Sequence, residues 1–254
     1  MKLAPTVKLN NGYEMPILGL GTYNLWDIYH NPERVQHACN LQRKALGVDY
    51  IDLYLMHSPV GVHYISDEDL MPHVDGELWT NDVDYVDTYK AMEMLVEMGQ
   101  VRSLGLSNFN ADQLERLLES CQIKPVALQI ECHPGLVQTP LIELCKRHDI
   151  TVVAYSPLGR PTIGRPTPEY LKDPSVLAMA AKYGKTPAQV ILRYMIDIGT
   201  VPIPKASQED HLNENLDIFD FRLAPEELQQ LSSFNRGQRL WKFEKAKNHQ
   251  HYPY

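Results

Sequence analysis

Short β-branched or aliphatic runs alternate along this chain with longer stretches whose apolar residues recur at helical spacing. Six runs stand out, at Ile17–Thr22, Asp52–His57, Val101–Asn108, Ala127–His133, Thr151–Leu158 and Val201–Lys205. Most are too continuously apolar to leave one face in water, so they predict parallel strands covered by the helices that connect them. Asn31-Pro32-Glu33 reads as an N-cap, a proline at the first helical position and an acid on the helix dipole, and Gly47 supplies the stop after Leu46. Thr139-Pro140 and Thr186-Pro187 repeat that start. The helix from Thr186 sets Val190, Ile191, Tyr194 and Ile198 on one stripe, and Asn110 opens another with Leu114, Leu117, Leu118 and Cys121 inward. Ahead of the first strand, Thr6–Leu9, Asn11-Gly12 and Glu14–Ile17 predict a small hairpin that caps the alternation from outside it. The acidic stretch Gly61–Asp87 has no long periodic run and exceeds an ordinary strand-to-helix connection, which marks a functional loop or a disordered one. No repeat or linker divides residues 1–254, so a single domain is expected.

Composition narrows the class. With 44% hydrophobic and 22% charged residues over 254 positions, the chain can bury a substantial core. The formal net charge is -8 and the basic residues are scattered, so no stripe invites nucleic acid. No segment approaches the ~18 apolar residues needed to cross a bilayer, and the start carries no signal-like apolar run, so a cytosolic protein without a membrane partner is expected. Cys39, Cys121, Cys132 and Cys145 show no zinc spacing and read as reduced, mostly buried thiols. Neither Cys132-His133 nor His249–His251 finds two further ligands, so no metal is expected. Gly159–Gly164 has the span of a P-loop opening but continues Arg165-Pro166, and no G-x-G-x-x-G occurs, which argues against Rossmann-type nucleotide binding.

Several runs carry a resemblance. Met15-Pro16-Ile17-Leu18-Gly19-Leu20-Gly21-Thr22 and Asp49-Tyr50-Ile51-Asp52-Leu53-Tyr54-Leu55-Met56-His57-Ser58-Pro59 are followed in order by Leu104-Gly105-Leu106-Ser107-Asn108-Phe109 and Gln129-Ile130-Glu131-Cys132-His133-Pro134. Ala154-Tyr155-Ser156-Pro157-Leu158-Gly159, Ile203-Pro204-Lys205 and Glu214-Asn215 complete the set. In sequence and spacing the chain resembles the aldo-keto reductases, of the aldose and aldehyde reductase kind, over nearly its whole length. That resemblance implies a TIM-type (β/α) barrel with its chemistry at the C-terminal ends of the strands. After Tyr23 the chain runs through Asn24-Leu25 into Trp26, where the family pattern holds two further strand–helix units, about 60 residues at ~250 for eight units. An incomplete barrel of about six of eight strands, with an N-terminal hairpin cap and an open or strained edge, is therefore expected.

The resemblance also assigns residues. His57 would contact a substrate carbonyl, while the aspartate, tyrosine and lysine of the family's catalytic tetrad fall in the absent piece, and Tyr23, Tyr29 and Tyr50 do not match the tyrosine motif. A tyrosine needs its pKa of about 10 lowered to serve as an acid at neutral pH, and the partners that would lower it are the ones missing. Ser107, Asn108 and Gln129 would bond a nicotinamide carboxamide and Tyr155 would stack on the ring. Ser156 and Leu158 belong to the loop over the pyrophosphate, Lys205 would meet a 2′-phosphate, and His211, Glu214 and Asn215 complete the cofactor set. His211 stands where the family usually has arginine, and Ala206 replaces a usual hydroxyl residue, which weakens the phosphate site. Trp79, Trp241 and Tyr252-Pro253-Tyr254 fall in segments that form the family's substrate pocket walls, or else cover a barrel edge. The implied function is NADP(H)-dependent reduction of aldehydes or ketones to alcohols, weak or absent in this chain. The alternatives are a catalytically inactive nucleotide-binding or protein-interaction module, or a poorly folded truncated product. A monomer is expected unless a partner covers the open edge.

Overall fold

A computed structural model describes residues 4–19, 27–161 and 166–254. The chain opens with strands β1 (Thr6–Lys8) and β2 (Glu14–Pro16), then helix α1 (Pro32–Leu46) and strand β3 (Tyr54–Met56). Four two-residue strands follow, β4 (Gly61–Val62), β5 (His73–Val74), β6 (Glu77–Leu78) and β7 (Thr80–Asn81), before α2 (Tyr85–Glu97), β8 (Leu104–Ser107), α3 (Ala111–Leu118) and β9 (Ala127–Glu131). The remainder alternates α4 (Thr139–Arg147), β10 (Thr151–Tyr155), α5 (Pro174–Tyr183), α6 (Pro187–Asp197), β11 (Thr200–Pro202), α7 (Glu209–Leu216) and α8 (Pro225–Ser232). Among the described residues the central parallel sheet has five strands, β3, β8, β9, β10 and β11. The chain divides into two compact units, the first formed by Met1–Tyr23 with Gln129–Trp241 and the second by Asn24–Leu128 with Lys242–Tyr254.

In the second unit β3 and β8 run parallel, with Tyr54 opposite Leu104 and Met56 opposite Leu106. Gly105 sits in that ladder because a Cβ there would collide with the Leu55 side chain and come within 2.8 Å of the Ala127 carbonyl oxygen. Helix α1 begins as its sequence dictates: the Asn31 side chain accepts from the Glu33 N–H, and the chain leaves the helix through Gly47 at φ 68°. Asn110 and Gln113 form a reciprocal capping box on α3, whose Leu114 and Leu117 are fully buried. The stretch Gly61–Asp87 is neither one loop nor disordered. It folds into two short antiparallel ladders, β4 with β7 and β5 with β6, and then starts α2 on the Asp84 cap.

In the first unit the predicted hairpin is present as β1 and β2, and β10 pairs in parallel with β11. The amphipathic stripe expected on α6 is broader than the sequence suggests, since Leu192 and Met195 are buried together with Val190, Ile191 and Tyr194, while Ile198 is only half-buried. Arg193 joins them by donating to Asp197 and to the Ile218 carbonyl, so its charge is paired where it is buried. Thr186 caps α6 as expected, but Thr139 does not cap α4: it is the first helical residue, and Gln138 before it lies at φ 55°. Of the run Ile17–Thr22, residues 17–19 form no strand, although the Gly19 N–H donates to the Pro202 carbonyl at 3.1 Å. Residues 20–22 and the Tyr23–Trp26 junction lie outside the described residues.

Candidate active site

In the second unit two parallel strands end on predicted site residues. His57 follows β3 directly, and Asn108 follows β8. Asn108 has φ 61°, a left-handed conformation that asparagine tolerates better than most side chains, and it aims its carboxamide back along the strand ends. Its Nδ2 donates to the His57 carbonyl at 2.8 Å and to Ser107 Oγ at 3.2 Å, while its Oδ1 accepts from the Tyr254 hydroxyl at 3.1 Å. Ser107 is buried beneath it. The residues 242–254 are fastened here by more than one contact: Asn110 Nδ2 donates to the Pro253 carbonyl and Gln113 Nε2 to the His251 carbonyl.

His57 has a partner that the family pattern does not foreshadow. Its Nδ1 lies 3.1 and 3.2 Å from the two carboxylate oxygens of Asp27, and Ser58 Oγ donates to the same carboxylate at 3.1 Å. Asp27 is itself fixed by His30, whose ring bridges the Asp27 and Ser58 carbonyls at 2.8 and 2.9 Å. Burial alone would lower the His57 pKa, but the adjacent Asp27 carboxylate overrides it and holds the imidazole above its ordinary value. Burial would raise Asp27, yet His57, with His30 and Ser58 behind it, holds that carboxyl below the usual carboxylate range. Nε2 of His57 has no hydrogen-bond partner among the described residues, and the Phe243 ring stands 6.0 Å from the imidazole.

Tyr29 and Tyr50 are engaged away from His57. Tyr29 donates to Asp67, and burial together with that carboxylate raises its pKa, the wrong direction for proton donation. Tyr50 lies under the Arg102 guanidinium, and Tyr23 is outside the described residues. Thiol chemistry is equally remote, because burial pushes Cys132 and Cys145 up to about 12.

The first unit carries the other predicted residues. Gln129 is half-buried within β9. Tyr155 closes β10, and Ser156 beyond it adopts φ 52° and accepts from the Gly159 N–H at 2.8 Å, which turns the chain sharply at the strand end. Leu158 packs instead against the buried Leu18, Leu192 and Ile218, so its side chain serves the core. Lys205 lies three residues past β11, exposed and without a hydrogen-bond or ion-pair partner among the described residues. Helix α7 starts four residues later with no side-chain cap, leaving its N–H groups available to an anion, although Glu209 and Asp210 in its first turn oppose one. His211 is exposed in the same turn; Glu214 gives its backbone carbonyl to Gln189 and Asn215 is half-buried. Lys205, four residues ahead of a helix start without a side-chain cap, is a cation of the kind that can meet a phosphate, and Gln129 within β9 carries an amide. Glu131 holds the loop leading out of this unit: it is fully buried, pairs with His133, and accepts from the Leu240 and Trp241 N–H groups, while Arg160 stacks on the Trp241 ring. A cleft of about 530 Å³ lined by His133, Arg160, Tyr170 and Arg236 takes in none of the predicted cofactor residues and does not extend their site.

Sequence reasoning missed Asp27, and no signal for it exists in the sequence: it lies 30 residues before His57, outside every matched motif. Trp79, by contrast, stacks on His63 and not on a predicted site residue.

The sequence signature described as the aldo/keto reductase family matches residues 21–236. Aldo-keto reductase family 1 member A1-A of Danio rerio is 41% identical over 249 residues, covering 92% of this chain and 75% of that protein. Member A1 of Homo sapiens is 39% identical, covering 86% and 68%. Among solved structures, the aldose reductase of Schistosoma japonicum superposes with a TM-score of 0.91 at 32% identity over 98% of each chain. A Bombyx mori aldo-keto reductase in complex with NADP superposes with 0.89 at 30% identity over 100% of each.

Proposed function

The chain belongs to the aldo/keto reductase family, of TIM-barrel fold, and on that footing we propose that it is an NADP(H)-dependent oxidoreductase that reduces small aldehydes or ketones to alcohols. The observation that carries the reading is Lys205, a cation without a partner among the described residues, ahead of the uncapped start of α7. Lys205 and His211 would hold the 2′-phosphate, Ser156 the pyrophosphate, and Gln129, Ser107 and Asn108 the carboxamide, with Tyr155 on the ring. When bound, the reduced nicotinamide supplies hydride to the carbonyl carbon. What the chain adds is orientation of the carbonyl by His57 and exclusion of water by the Phe243 side. Residues 1–254 act in this reading as one oxidoreductase domain, monomeric and cytosolic, lacking the family's segment between Tyr23 and Trp26. No helix among the described residues is long and apolar enough to cross a membrane.

A second reading has one observation in its favour. The Tyr254 hydroxyl occupies Asn108 Oδ1, an atom the nicotinamide carboxamide would need, which fits a nucleotide-binding module that turns over slowly or not at all. Titration of NADPH fluorescence, paired with NADPH consumption in the presence of an aromatic aldehyde, separates them. The oxidoreductase binds and consumes; the module binds only; absence of binding removes both.

A further inference from the structure

Three clusters among the described residues set a histidine against a carboxylate. Asp67 gathers Tyr29, Tyr64 and His37, but it lies on the surface and its groups satisfy one another. Glu131 with His133 is spent on holding the backbone at Leu240 and Trp241. Asp27 with His57 differs from both, because one ring nitrogen is engaged by the carboxylate and the other, Nε2, has no hydrogen-bond partner among the described residues. A histidine so held has its tautomer and ring direction set by the first nitrogen and its chemistry offered at the second.

We propose that Asp27 is a positioning residue for His57, binding Nδ1–H so that Nε2–H is presented as the proton donor to a substrate carbonyl oxygen. The inference rests on the oxidoreductase reading above. On the reading that the family's tyrosine is absent an acid is needed, Tyr29 and Tyr50 are engaged elsewhere, and His57 stands at a strand end, where that chemistry belongs. The balance is complete. Hydride from a dihydronicotinamide dinucleotide reaches the carbonyl carbon as the C=O π pair moves to oxygen. The proton on Nε2 passes to that oxygen, and the imidazole becomes neutral while keeping Nδ1–H on Asp27. Solvent then restores the Nε2 proton. Among the described residues, the charged and titratable groups around the pair are Asp27 facing His57 and His30 behind Asp27, with Ser58 donating to the carboxylate and the apolar Phe243 ring 6.0 Å from the imidazole. The raised pKa of His57 is in keeping with this geometry and keeps the donor charged further into neutral pH.

The test is a ¹⁵N–¹H NMR titration of the full chain, wild type against Asp27→Asn and Asp27→Glu, with His57→Ala to assign the signal. In the wild type Nδ1 carries its proton throughout the titration, and His57 titrates at a higher pH than in Asp27→Asn; Asp27→Glu restores most of the difference. The same midpoint and the same tautomer in wild type and Asp27→Asn would overturn the proposal. A second arm follows kcat for NADPH consumption with an aromatic aldehyde against pH. The limb that falls on the alkaline side moves to lower pH in Asp27→Asn, and kcat at pH 7.5 drops by about tenfold or more, as expected for a weakened general acid. A limb that stays in place overturns the donor role. Failure of NADPH to bind in the fluorescence titration instead overturns the oxidoreductase reading, and the donor role with it, while leaving the NMR result as a separate statement about positioning.

Discussion

The charge–charge part of the Asp27–His57 contact acts only while both are ionised, and that fixes a pH window. The His57 pKa is raised above its ordinary 6.5, so its contribution is complete below that value and is lost as pH climbs through the raised one. Asp27 is lowered from 3.8, so its contribution is complete above that value and is lost as pH falls through the lowered one. Urea unfolding should therefore show Asp27→Asn costing more at pH 5.5 than at pH 9; an equal cost at both would mean that the pair is not ionic. Tyr254 allows a second measurement. Removing its hydroxyl takes one donor away from Asn108 Oδ1, and a hydrogen bond of about 0.5–1.5 kcal/mol translates into NADPH binding roughly 2- to 10-fold tighter in Tyr254→Phe, read by fluorescence titration. At this level the sequence was legible in part. His57, Ser107 and Asn108 were found because each sits inside a run whose order is itself a signal. Asp27 was not, since a carboxylate 30 residues away declares its partner only once the chain has folded.

The helices are where sequence reading went furthest, because caps are made by neighbours in the chain. Asn31 caps α1 through its own side chain and Gly47 closes it in a left-handed conformation, both as the residues alone predicted. Asn31→Ala should cost about 1 kcal/mol, and Gly47→Ala about 1 kcal/mol for the left-handed strain. The two ends of a 15-residue helix lie about 20 Å apart, so the double variant should cost the sum, about 2 kcal/mol, in denaturant unfolding. Coupling well above about 0.5 kcal/mol would mean that the ends communicate through α2, which packs on α1. Where reading failed, the cause was tertiary. Thr139 was displaced from its capping role by Gln138, and the stretch 61–87 paired with itself through short ladders that carry no periodic signal. Five of the six apolar runs became parallel strands, trimmed at their ends where side chains leave the ladder.

For the molecule as a whole, ligand binding and stability are one equilibrium. If NADPH binds the folded chain alone, a concentration 100-fold above Kd adds about 2.7 kcal/mol, or roughly 5–10 °C in Tm for a chain of this size. Lys205→Ala should weaken NADPH about 10- to 100-fold, the worth of a charged phosphate contact, and leave NADH within about twofold. His211→Arg should strengthen NADPH and leave NADH unchanged. A thermal shift series with both nucleotides tests the three proteins together, and equal shifts for NADPH and NADH in the wild type would remove the 2′-phosphate site. Alternating strands and helices made the fold class readable, and collinear motifs made the family readable.

The fastening of residues 242–254 onto the ends of β8 and α3 bears on how the protein is made. Asn108, Asn110 and Gln113 wait for partners that follow them by 146, 143 and 138 residues. At about 5–20 residues per second, a ribosome delivers those partners roughly 7–30 s later, long after the local helices have formed. During that interval Asn108 keeps its bonds to His57 and Ser107, and Asn110 and Gln113 keep their capping box, while the contacts to Tyr254, Pro253 and His251 are still to come. Synthesis thus closes the β8 end in two steps, first by the short-range bonds of Asn108 and last by the Tyr254 hydroxyl.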